Sequence, residues 1–283
     1  MSVDWIIAAK AAVLGLVQGI TEFLPISSTG HLIIANGWLG TEGENWKAFD
    51  VFIHLGTILA VCWVFRLRLL RSVGGLAGGD KAAWRFWILL FIAFLPVAVV
   101  GLMTSHAIKT YLFSPAYGPW TVMTMLVLGA LVIFWVEHWY RGRQKRGEAA
   151  VAGTVEAVTP KQALLVGLAQ VLSLIPGTSR SGSTIIGGMI FGLSRQAATE
   201  FTFFLAIPTM FVATGYDLYQ SRDFLSVRDA VPFAVGFVVA FASALLVVRW
   251  LLRYVANHDF RGFAWYRIGL GIAILLYVLL RRG

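Results

Sequence analysis

Two polar knots interrupt an otherwise oily chain: Glu22-Phe-Leu-Pro-Ile-Ser-Ser-Thr-Gly-His31 and Pro176-Gly-Thr-Ser-Arg-Ser-Gly-Ser183. In the first, Ser28 and His31 are three residues apart and share a face on a helical turn, so the imidazole could take the serine proton. Gln18 and Glu22, four apart, share a face as well. The second knot contributes Arg180, a bidentate phosphate ligand that keeps its charge in a protein. A nucleophile, a base, a carboxylate and an anion clamp suit phosphoryl transfer, which depends on positioning and charge neutralisation. Plainer readings stand beside this one. Hydroxyls in membrane helices bond back to the backbone or hold helices together. Glu22 and Arg180 could form a structural ion pair, and His31 an interhelical donor. Seven hydroxyls in two short segments favour a ligand, with Gln18, Ser27, Thr29, Thr178, Ser179, Ser181 and Gly182 as its expected contacts.

These residues need elements that hold them at membrane depth, where a central Arg, Lys or Asp costs roughly 2.5–3.5 kcal/mol. Pro25 is expected to end one half-helix. Ser27, Ser28 and Thr29 are natural caps for the next, whose free N–H groups would receive an anion. Gly177 and Gly182 would let backbone approach that ligand closely.

The chain is 58% hydrophobic and 13% charged, against about 25% charged in soluble domains. Six apolar runs predict full spans: Phe49–Phe65, Arg85–Thr104, Trp120–Trp139, Glu200–Tyr219, Val231–Trp250 and Phe263–Leu280. His31–Leu39, Gln162–Ile175 and Ser183–Leu193 are too short to cross, and Trp5–Phe23 is ambiguous. The expected fold is all-α and polytopic, one integral membrane domain over residues 1–283; continuous runs argue against a β-barrel. The net charge of +9 sits in short connections and marks topology, not nucleic-acid binding. Cys62, within an apolar run, is expected to pack. Asp4, Gln18 and Glu22 argue against a signal peptide.

Basic clusters at Arg66–Arg85, Arg141–Lys161 and Arg249–Arg261 place those connections in the cytoplasm. Those at Lys109 and Arg222–Arg228, the latter offset by Asp223 and Asp229, then face outward, with Arg281 and Arg282 against the rule. An internal duplication is visible. Gly15-Leu-Val-Gln18 matches Gly167-Leu-Ala-Gln170, and Gly30, Gly40, Phe49 and Thr57 match Gly182, Gly192, Phe201 and Thr209, each pair 152 residues apart. The copies, about 5–140 and 160–280, would thread the membrane in opposite directions, each with a re-entrant helical hairpin whose tip meets the other near the midplane. Asp50 and His54, four apart on the next span, are expected to support the site or join helices.

Gln18-Gly-Ile-Thr-Glu22-Phe-Leu-Pro-Ile-Ser-Ser-Thr-Gly-His31 and Pro176-Gly-Thr-Ser-Arg-Ser-Gly182 resemble the two signatures of the undecaprenyl-diphosphate phosphatases, the bacitracin-resistance family, and the similarity extends over nearly the whole chain. The resemblance implies removal of the terminal phosphate from undecaprenyl diphosphate, yielding the lipid carrier for peptidoglycan and other envelope glycans. It implies catalytic positions at Glu22, Ser28, His31 and Arg180 and a divalent cation, Mg2+ or Ca2+, held in part by Glu22. It also implies a bacterial cytoplasmic membrane location, an active site open to the outer face, and often a homodimer. Gln18 stands where many members carry Glu; the amide is a weaker, neutral ligand, which argues against a two-carboxylate metal site. The type 2 phosphatidic-acid phosphatases share a Ser-Gly-His-like segment, but neither their Lys and Arg-Pro motif nor their second Ser-Arg segment with trailing His and Asp is present. The expected mechanism has Ser28 attack phosphorus with His31 as base and later acid; its rivals within the same class make His31 the nucleophile or have water attack directly. The alternative function is an inverted-repeat transporter or flippase for a polyprenyl phosphate or another anion.

Overall fold

The computed structural model describes residues 5–41, 43–112, 114, 117–148, 150–220 and 230–282. A hairpin of α1 (Trp5–Thr21) and α2 (Ser28–Leu39) is followed by α3 (Glu44–Val64), the short α4 (Arg66–Ala77), α5 (Lys81–Ala107) and α6 (Gly118–Lys145). A second hairpin, α7 (Pro160–Val171) and α8 (Arg180–Ile190), precedes α9 (Arg195–Gln220), α10 (Ala230–Asn257) and α11 (Arg261–Arg282). The described residues form no strand, only an isolated bridge between Ala152 and Leu193. The protein is therefore all-α, and α3, α5, α6, α9, α10 and α11 are each long and apolar enough to cross a membrane. Each contains or closely overlaps the expected run. Most overshoot it, because backbone hydrogen bonding continues into charged flanks, as in α6, which ends on Arg141, Arg143 and Lys145.

Three local expectations need correction. Sequence reading places only a basic connection between the first two spans, yet α4 fills it, with exposed Leu67, Leu70 and Val73 beside Arg66 and Arg71. The first arm ends sooner than its apolar run: α1 stops at Thr21, four residues before Pro25, whose missing N–H leaves the Thr21 carbonyl without a helical partner. Phe23 and Leu24 turn into the core there, Phe23 lying edge-on to Phe203 at 5.5 Å. The second arm starts two residues earlier than its apolar run. Thr159 Oγ1 accepts from the Gln162 N–H at 3.2 Å, the side-chain Oε1 of Gln162 accepts from the Thr159 N–H at 3.0 Å, and Pro160 takes the first turn. This capping box fixes the start. The Lys109, Arg281 and Arg282 side chains, Asp4 and the stretch containing Arg222–Arg228, Asp223 and Asp229 lie outside the described residues.

The first arm of each hairpin packs on a helix from the other half of the chain, α1 on α10 and α7 on α5. Both crossings are made by glycine. A Cβ at Gly15 would strike the Gly236 carbonyl, and one at Gly167 the Ala93 carbonyl. Bare backbone permits close helix approach, the usual device where both surfaces are apolar. The 152-residue correspondence also appears in the backbone: Ser27 (φ 69°) and Ser179 (φ 74°) are the described non-glycine residues with positive φ, and they precede α2 and α8 respectively. At one end of the bundle, fully buried Glu137 of α6 takes both Arg195 donors, at 3.1 and 2.5 Å, and the Phe260 N–H at 3.0 Å, tying α6 to α9 and to the start of α11.

Candidate functional site

The two elbows between the hairpin arms meet. Ser181 Oγ, fully buried, donates across the junction to the Leu24 carbonyl at 2.8 Å. Arg180 reaches from the second elbow to Glu22 Oε1 in the first, at 3.4 Å, with its guanidinium 5.8 Å from the Phe23 ring centroid. Residues 158 apart in sequence thus form one charged cluster.

Glu22 is its hub. Gln18 Nε2 donates to Glu22 Oε2 at 2.9 Å and Ser28 Oγ to the same oxygen at 2.8 Å, while His54 Nε2 stands 3.7 Å away. His54 donates through Nδ1 to the Asp50 carbonyl at 2.6 Å, and the Asp50 carboxylate accepts from Asn36 at 2.7 Å. The Asp50 and His54 pair therefore backs the site from α3. The hub leaves polar atoms unspent: Arg180 Nε and one Nη, Gln18 Oε1 and Thr178 Oγ1 are buried without a hydrogen-bond partner. Orphaned buried donors cost about 1–3 kcal/mol each. Three of these atoms belong to the second elbow, and two are guanidinium donors suited to an anion.

The expected Ser28 to His31 proton transfer meets a different geometry. The Ser27 carbonyl can only accept, so its 2.8 Å contact puts the proton on His31 Nδ1. In the neutral ring Nε2 then accepts from the Tyr266 hydroxyl at 2.7 Å, with the two rings stacked at 5.5 Å and 10°. Ser28, one residue past the bend, turns instead to Glu22. The expected cap is also altered. Ser27 occupies the N-cap position of α2 with positive φ and makes no side-chain cap, leaving the first-turn N–H groups uncapped. Ser179, its counterpart, does cap α8, accepting from the Gly182 N–H at 3.1 Å, and lies 3.1 Å from Ser181 Oγ. Thr29 stands half-buried on the first turn of α2. A Cβ at Gly182 would come within 3.2 Å of Ser179. The plain reading of hydroxyls holds for Ser183 and Thr184, which bond back to the Ser179 and Arg180 carbonyls. Two cavities elsewhere, one beside Tyr140 and Arg143 and one beside Thr154 and Glu200, share no residue with this cluster.

Two neighbours on α11 escape sequence reading: Tyr266, which holds His31, and Arg267, whose guanidinium bonds to carbonyls of both elbows. Both lie in a run that reads as an ordinary span. The one available signal is a lone arginine at the fifth position after the span's expected start.

As for a cation, no three His, Cys, Asp or Glu side chains converge among the described residues. Glu22 and the unpartnered Gln18 Oε1 are the oxygens of this cluster that could help to hold a divalent cation, which would supply charge neutralisation there.

Comparison with known proteins gives relatives over nearly the whole chain. The chain is 54% identical to the undecaprenyl-diphosphatase of Nitrosomonas europaea, over 96% of this chain and 95% of that one. It is 53% identical to the undecaprenyl-diphosphatase of Nitrosospira multiformis, over 96% of each, and 52% identical to that of Dechloromonas aromatica, over 96% and 95%. The profile of the family described as bacitracin resistance protein BacA matches residues 11–273, and with that extent of agreement the chain belongs to this family.

Proposed function

We propose that this chain is a membrane phosphatase that hydrolyses undecaprenyl diphosphate to undecaprenyl phosphate and inorganic phosphate, recycling the carrier lipid for peptidoglycan and envelope glycan synthesis and conferring bacitracin resistance. The observation that carries the reading is the junction of the elbows, where Arg180 bonds through one Nη, at 3.4 Å, to the carboxylate that accepts from Ser28 and keeps its Nε and other Nη buried and free.

The terminal phosphate enters between the elbows and takes the free Arg180 donors and the Thr178 hydroxyl. Ser28 Oγ attacks its phosphorus; the bond to the bridging oxygen breaks, and prenyl monophosphate leaves with the electron pair. Glu22, already accepting from Ser28 at 2.8 Å, takes the proton. His31 stands with a fixed tautomer beside the Tyr266 hydroxyl, a proton store three residues along the same hairpin. Water then attacks the phosphoserine phosphorus; the bond to Ser28 Oγ breaks, that oxygen takes back the proton held by Glu22, and phosphate leaves carrying the protons of the water. A divalent cation, when bound by Glu22 and Gln18, would offset charge on the phosphate oxygens. The two halves are inverted copies in this reading, their hairpins re-entrant, and the elbows open to the outer face of a bacterial cytoplasmic membrane. That orientation rests on the basic connections. A homodimer, implied by the family resemblance, is checked by the mass of the particle in detergent.

The test is phosphate release from a C55 prenyl diphosphate by purified protein in detergent, with and without chelator. Release is expected, and its loss with Ser28→Ala. Near-normal turnover by that variant overturns serine attack. Movement of the lipid across vesicles without phosphate release overturns the phosphatase reading in favour of a transporter.

A further inference from the structure

Arg267 is 1% exposed, and among the described residues no carboxylate pairs with it. Its donors are nonetheless all engaged. Nε donates to the Leu126 carbonyl at 3.1 Å; one Nη donates to Pro25 at 3.3 Å and Thr178 at 3.0 Å; the other donates to Met125 at 2.8 Å and Gly177 at 3.1 Å. A guanidinium has five N–H bonds in a planar fork, and here each meets its own carbonyl. Pro25 lies in the first elbow, Gly177 and Thr178 in the second, and Met125 and Leu126 in α6.

We infer that Arg267 is a positioning residue that sets the spacing of the two elbows, and that Gly129 of α6 is the bare position that admits its guanidinium. An elbow between half-helices leaves carbonyls without backbone partners, and in an apolar surround those must be satisfied by protein. Arg267 satisfies three from two elbows at once, so neither can shift without breaking a bond to the same rigid plane. A lysine offers three donors from a single point and cannot span these carbonyls. Gly129 closes the argument from the opposite helix: a Cβ there would lie 2.6 Å from the Arg267 Cζ. No other side chain in that place leaves the fork where it is. Glu22 and Ser28 ride on the first elbow and Arg180 on the second, so their spacing controls how the reacting phosphate is held. It has little bearing on the prenyl tail.

This inference rests on the phosphatase reading above, and one set of variants separates the two. Arg267→Lys, Arg267→Met, Gly129→Ala and the double variant Gly129→Ala/Arg267→Met are purified, and kcat, KM and the thermal midpoint are measured on C55 prenyl diphosphate. Arg267→Lys and Gly129→Ala are each expected to lower kcat about ten- to a hundredfold, as a misplaced reacting group does. KM should stay within about twofold, since binding by the tail is untouched. Gly129→Ala should cost less than about twofold once Arg267 is already Met, because the two act through one contact. Full kcat in Arg267→Lys overturns the inference. So does an equal loss from Gly129→Ala in both backgrounds, or a loss that only follows the folded fraction. Should Arg267→Met not fold, Arg267→Lys and Gly129→Ala on opposite helices decide it. Absence of phosphate release from the unsubstituted protein overturns the phosphatase reading instead.

Discussion

Arg180 uses one donor on Glu22 and holds two more in reserve, and what it does with them depends on its shape. Arg180→Lys keeps the charge and loses the fork, so kcat/KM should fall about a hundredfold or more, measured as steady-state phosphate release. Tyr266 permits a finer test. Tyr266→Phe retains the ring stacked on His31 at 5.5 Å and removes only the hydroxyl at 2.7 Å from Nε2. A hydrogen bond worth about 1 kcal/mol net corresponds to about fivefold in rate. The expectation is therefore a kcat lowered by about that factor with an unchanged thermal midpoint. A lowered midpoint at full activity would make the tyrosine a packing residue only.

The two hairpins share a backbone but divide the chemistry. Position for position, Glu22, Ser28 and His31 in the first elbow correspond to Leu174, Arg180 and Ser183 in the second. The carboxylate, hydroxyl and imidazole thus sit on one hairpin and the guanidinium on the other. The bends themselves are separable from that chemistry. Positive φ at a serine stores about 1 kcal/mol of strain or more, which glycine relieves. Ser27 makes no cap, whereas Ser179 bonds both the Gly182 N–H and Ser181. Ser27→Gly should therefore melt above Ser179→Gly by about 1 kcal/mol of stability, read by thermal denaturation in detergent. The crossings give another contrast. Gly167→Leu must drive α7 off the α5 backbone, costing about 1–3 kcal/mol as overpacking does. Gly269→Leu, where a Cβ meets nothing within 4 Å, should be silent by the same assay.

At the scale of the whole molecule, the lock far from the elbows is testable too. Arg195→Met leaves Glu137 buried and unpaired, a loss of about 3–5 kcal/mol. Adding Glu137→Leu should recover much of it, as double-variant melting would show. Spans and polar knots were legible in the sequence because each is a local pattern: an apolar run of membrane length, or hydroxyls and charges where none should be cheap. The proposed repeat rests on a constant offset, seen in Gly15 and Gly167 or Gln18 and Gln170. Arg267, Tyr266 and the Glu137–Arg195 pair were not legible. Their partners lie 58 to 242 residues away, and a lone polar residue in an apolar run says nothing of which carbonyl or ring will face it. The end of the first arm was legible in part: Pro25 marks it in sequence, whereas the packing of Phe23 on Phe203 does not show there.

The seating of α1 on α10 carries a consequence for how the protein is made. The first hairpin arm ends at Thr21 and leaves the ribosome well before its bed, which begins only at Ala230. At translation speeds of about 5–20 residues per second, the interval is about ten to forty seconds. Throughout it α1 waits without this seat, sheltered by the insertion machinery or by lipid, and nascent chains arrested before α10 should leave it open to protease until α10 itself, Ala230–Asn257, arrives.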